Sequence, residues 1–148
     1  MCIALASLAG LLLASDPIAA KFAKEDWNSD GLYEAIFGWS AIQTGFAFGV
    51  YGFVLGKGDG FIAALKQTAA MGRFIGYIKR ANYSGFALTF VSIPLIVFDP
   101  AIESPYSIEY AVVAAWFSLF LWSFLAFLRL AYNFGKIASV PDKKFLGA

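Results

Sequence analysis

Histidine is absent from this chain, cysteine occurs once, at Cys2, and charged side chains make up only 14% of its 148 residues. Each scarcity excludes something. Without histidine the usual axial ligand of a membrane haem and the commonest ligand of catalytic zinc are both missing, so no metal or other cofactor is expected. A single cysteine rules out an internal disulfide framework. Nothing resembling a lipoprotein cleavage context precedes Cys2, and a packed free thiol is the expectation there. What the chain does hold is apolar: 60% of residues are hydrophobic and 18% aromatic. A soluble sphere of this size cannot hide so much apolar surface, so lipid must cover the excess.

The net charge of +1 conceals a separation. Apolar runs near residues 3–20, 32–56, 82–98 and 109–133 have the composition of membrane crossings, which need about 20 helical residues for a hydrocarbon core of about 30 Å. If all four cross, one side holds Lys57, Lys66, Arg73, Lys79, Arg80, Arg129, Lys136, Lys143 and Lys144 against Asp59 and Asp142. The other side holds Asp16, Glu25, Asp26, Asp30, Glu34, Asp99, Glu103 and Glu109 against Lys21 and Lys24. Cations retained on one face identify that face as cytoplasmic. The expected fold is therefore all-α: a polytopic four-helix transmembrane bundle forming one integral membrane domain, residues 1–148. The expected location is a bacterial inner (plasma) membrane, with loop 57–80 and the tail 134–148 in the cytoplasm.

Three of the runs follow directly from length and apolar content. Tyr33, Trp39 and Tyr51 flank the run at 32–56, where amphipathic rings favour the membrane interface. Pro94 should kink the run at 82–98 and free a backbone carbonyl. Arg129 can snorkel its head to the inner interface. The first run is short, because Asp16-Pro17 interrupts it. A kinked span, a re-entrant helix and an uncleaved signal-like segment all fit its pattern, and the kinked full span is the expectation. Between the second and third runs, Gly56-Lys57-Gly58-Asp59-Gly60 marks a turn, after which Phe61, Leu65, Gly72 and Ile75 form an apolar stripe opposite Lys66, Arg73 and Arg80. That spacing predicts an amphipathic helix over 61–80 lying on the cytoplasmic surface and running on into the third apolar run.

Gly38, Gly45, Gly49, Gly52 and Gly56 recur on one face of the second run, and 45/49 and 52/56 have the small-xxx-small spacing that lets helix backbones approach in lipid. They are read as a helix-packing face, with an internal helix as the first expected partner and a second protomer as the other. Ser40, Gln43 and Thr44 are the polar cluster at greatest depth, suited to interhelical hydrogen bonds or to lining a pore across protomers. Lys66, Arg73, Lys79 and Arg80 suit anionic lipid headgroups or an acidic cytosolic partner, though the positive-inside rule alone demands cations there. Asp26-Trp27-Asn28-Ser29-Asp30-Gly31 imitates the opening of a calcium loop, but Phe37 occupies the twelfth position, where a bidentate glutamate belongs. A turn and helix cap is the simpler reading. Gly56-Lys57-Gly58 lacks the spacing of a phosphate loop.

No base, nucleophile or metal cluster lies near mid-membrane, so an enzyme is not expected. The expected function is a non-catalytic multi-pass membrane subunit that forms a homo-oligomer or joins a larger membrane complex, docking a partner through its basic inner loop and tail. The alternative is a small oligomeric channel or membrane-perturbing effector, for example of a defence or immunity system. Membrane lipids are expected partners, and nucleic acid is not.

Overall fold

The computed structural model describes residues 2–23, 29–58, 60–100, 104 and 107–140, and among these the chain is helical with no strand. Six helices follow in order: α1 Cys2–Leu13, α2 Ser15–Ala23, α3 Ser29–Gly56, α4 Gly60–Lys66, α5 Ala69–Phe98 and α6 Ile108–Ala138. Segment 24–28, which carries part of the calcium-like pattern, and the tail from 141 lie outside the described residues.

Two helices, α5 and α6, are long and apolar enough to cross a membrane. A third candidate arises if the bend of 92° between α3 and α4 is one broken span. The surface agrees with insertion. Large apolar side chains such as Leu13, Ile42, Phe90, Val97 and Leu128 point outward, while Ser40, Gln43, Thr44, Ser84, Ser92, Ser118 and Ser123 are buried. This inverts the ordinary soluble arrangement and suits a chain whose solvent is hydrocarbon.

The run at 3–20 divides into α1 and α2. Pro17 has no N–H to donate to Leu13, so the helix is interrupted near Ala14, although Ala14 still donates to Gly10 O and Ile18 to Ala14 O at 3.0 and 3.4 Å. With 12 residues, α1 alone is about 18 Å long and falls short of the hydrocarbon thickness. Its last turn is tied to the start of α6, where Tyr110 donates its hydroxyl to Leu11 O at 2.5 Å.

The helix expected over 61–80 is in two pieces, of which the second runs on into the third apolar run as expected. It breaks after Lys66, and Thr68 starts a new helix: its hydroxyl donates to Leu65 O at 2.7 Å and accepts from Met71 N at 3.4 Å. From Ala69 the chain runs without interruption through Pro94 to Phe98, so Arg73, Lys79 and Arg80 ride on the same helix as the membrane run. Asp99 closes it in a left-handed conformation, φ 36°, with Pro100 next in sequence. Gly60 opens α4 at φ 69°, a backbone state glycine adopts without strain. The expected tail beginning at 134 remains helical to Ala138.

Helices α3, α5 and α6 share two apolar layers. One gathers Tyr33, Ile36, Leu88, Leu95, Tyr110, Val113 and Trp116, with Leu8 and Leu11 of α1 against it. The other gathers Val50, Val54, Met71, Phe74, Ile78 and Leu130, with Ile62 of α4. Tyr33, expected at the lipid interface, is instead 1% exposed and meets Trp116 edge-on at 5.2 Å between ring centroids. The layers lie toward opposite ends of the bundle, the second toward the cationic end. A polar layer separates them.

Candidate functional site

Ser40, Gln43 and Thr44 project from the inward face of α3 into that polar layer. Gln43 is fully buried, and its Nε2 donates to Ala81 O of α5 at 2.9 Å and to Ser123 Oγ of α6 at 2.8 Å. Ser123 in turn donates to Ser84 Oγ at 3.0 Å, and Ser84 to Ala81 O at 3.2 Å. One amide thereby pins three helices together. Ser40 Oγ lies 2.8 Å from both Phe37 O and Thr89 Oγ1, while Thr89 also reaches Gly85 O at 2.9 Å. Two hydroxyl protons serve these three contacts, so only two are made at a time. Thr44 bonds back to Ser40 O at 2.8 Å. The Oε1 atom of Gln43 is buried without a donor among the described residues, as are Trp39 Nε1 and Asn82 Oδ1 without partners of their own.

Gly85 lets this layer close. A Cβ there would overlap Thr44 Oγ1 and stand 3.3 Å from Gln43 Nε2, so α3 and α5 approach one another across a bare backbone. Sequence reasoning passed over Gly85, although Ala81, Gly85 and Thr89 recur every fourth residue, the signal that would have found it. Ser84 and Thr89 were missed for a different reason: a serine or threonine on a long helix announces no partner. Of the two roles expected for Ser40, Gln43 and Thr44, the geometry within one chain is that of interhelical hydrogen bonding. Ser40 and Gln43 are 0% exposed and face α5 and α6.

The glycine face behaves oppositely. At Gly38, Gly45, Gly49, Gly52 and Gly56 an added Cβ would meet nothing within 4 Å. The internal partner expected for this stripe is absent among the described residues, because α5 and α6 take the other side of α3. Phenylalanines border the stripe. Phe46 and Phe53 stand edge-on to Phe134 of α6 at 6.0 and 5.7 Å, and on the opposite border Phe48 meets Phe86 of α5 at 5.7 Å.

At the cationic end the four predicted residues separate. Lys66 turns back to the C-terminus of α3, donating to Leu55 O at 3.1 Å and Lys57 O at 2.5 Å, where an ammonium offsets the negative end of the helix dipole. Arg73, Lys79 and Arg80 are exposed on α5. Two further cations complete this end: the Arg129 guanidinium lies 4.7 Å from the Tyr77 ring centre and the Lys136 ammonium 4.4 Å from that of Tyr132. Among the described residues no three acidic, cysteine or histidine side chains converge as a metal site. Comparison with protein-family models, with curated proteins and with solved structures found no match.

Proposed function

We propose that the protein is a non-catalytic, multi-pass membrane subunit that assembles through the glycine face of α3, with copies of itself or within a larger membrane complex. In this reading its cationic end lies in the cytoplasm and meets lipid headgroups or an acidic cytosolic partner. The observation that supports assembly most is the uncovered stripe from Gly38 to Gly56 between phenylalanine borders, since helix association in lipid depends on van der Waals contact between close backbones. Four crossings belong to the proposal, with α1 and α2 as a first span kinked at Pro17, α3 as the second, and α5 and α6 as the last two.

Purification in a native detergent should give a stoichiometry above one, or a stable partner; a lone monomer at high protein concentration would refute assembly. Topology has its own reporter, because Cys2 is the single cysteine. In inside-out vesicles a membrane-impermeant maleimide should label it if the first span crosses. Labelling confined to right-side-out vesicles would replace that crossing with a half-span.

A further inference from the structure

Beneath the cationic end, α4, the first turns of α5 and the last turns of α6 enclose a groove of about 380 Å³. Its walls are of two kinds. Phe61, Leu65 and Ile137 are apolar, whereas Arg73 and Lys136 are cations, and no carboxylate is among the lining residues. Neither Arg73 nor Lys136 forms an ion pair among the described residues. The volume falls within the range of small-molecule sites, about 300–1,000 Å³, and is too small for a folded partner.

Depth fixes the class of ligand. Helices of 30 and 31 residues are about 45 Å long, the thickness of a bilayer with its headgroup layers included. The groove involves Ala70 to Tyr77, ahead of the apolar run of α5, and Asn133 to Val140, where the apolar run of α6 ends and the helix closes at Ala138, so it lies at headgroup level. A molecule that satisfies two cations and an aromatic and aliphatic wall at that level carries an anionic phosphate joined to a hydrocarbon chain. The geometry points to a bound anionic glycerophospholipid, its phosphate between Arg73 and Lys136 and the start of an acyl chain against Phe61, Leu65 and Ile137. This deepens the reading of the cationic end as a lipid-facing surface and rests on membrane insertion, but not on assembly or on any protein partner.

The test uses the full chain, purified alone and exchanged through mixed micelles of equal phosphatidylglycerol and phosphatidylcholine, with retained lipid read by native mass spectrometry. Two cations favour the anionic lipid by roughly thirtyfold, about 2 kcal/mol at 1.4 kcal/mol per tenfold. Arg73→Gln with Lys136→Gln should bring the ratio near one. Lys79→Gln with Arg80→Gln removes the same charge outside the groove and should leave the ratio unchanged. Equal loss in both pairs would replace the site with diffuse attraction and overturn the proposal, as would displacement of the lipid by inorganic phosphate, which would make the occupant a free anion. If the first pair does not fold, Ala70→Trp fills the groove without touching charge; phosphatidylglycerol should then no longer be retained, and wild-type retention would refute the site. Because no partner is present in this measurement, its failure is separate from a failure of assembly.

Discussion

The two faces of α3 use small and polar residues for opposite ends. Its inward face carries Ser40, Gln43 and Thr44 against α5 and α6, where each side chain is fixed by hydrogen bonds and the backbone of Gly85 lies close enough to exclude a methyl group. Its outward face carries five glycines at which an added Cβ would meet nothing within 4 Å among the described residues. The stripe that looks most like a packing motif is therefore not what packs this bundle, and the glycine that does pack stands on the neighbouring helix. In lipid a small residue marks where a backbone can approach, without saying whose backbone arrives.

The largest effect expected from breaking this contrast is at Gly85. Gly85→Ala forces a methyl group onto Thr44 Oγ1, a short side chain already held by Ser40 O, and should destabilise the folded bundle by about 1–3 kcal/mol, seen as earlier thermal unfolding in detergent. Thr44→Ala on top of it removes the obstructing atom. The double variant should recover a large part of the loss, a coupling that a double-mutant cycle reads directly. Additive losses would mean that the close approach of α3 to α5 is not set at this contact.

A smaller effect is expected at Gln43, despite its central place. Gln43→Leu removes two interhelical hydrogen bonds, which in membrane bundles contribute about 0.6 kcal/mol each, but it also removes an Oε1 atom that is buried without a donor. Ser123 keeps its bond to Ser84. The net cost should stay below about 1 kcal/mol in the same thermal assay. A loss several times larger would show that the polar layer acts as a cooperative network rather than as separate bonds.

These residues also show how far the sequence could be read. The membrane character, the apolar cores of the two helices long enough to cross and the clustering of cations follow from apolar length and charge placement, which are properties of single segments. The break after Lys66 was hidden because Phe61 to Arg80 keeps a helical period across it, and only the Thr68 cap, a tertiary-independent but subtle signal, interrupts the chain. Tyr33 was misplaced because an amphipathic ring near a helix end suits the interface and the core equally, and the choice was made by Trp116, more than eighty residues away. The partners of Gln43 were illegible for the same reason: pairing between helices is decided by rotation about each axis, which periodicity fixes only where the two faces differ strongly in polarity.

The outward face should give the smallest change in stability and the clearest change in assembly. Gly49→Leu places its Cβ where nothing beyond the neighbouring turns of α3 lies within 4 Å, and it replaces the weakest non-proline helix former with a strong one, a gain of up to about 1 kcal/mol. Thermal unfolding of the isolated chain should therefore be unchanged or slightly later. If a second helix packs on this stripe, the same leucine holds its backbone away, and the mass measured by light scattering across a detergent dilution series should fall toward that of the single chain. Gly49→Ala, which adds only a methyl group, should weaken association less. Unchanged mass with both substitutions would leave the stripe facing lipid and move the assembly surface elsewhere, whereas loss of folding would mean that α3 is packed on two sides within one chain, contrary to the open face described above.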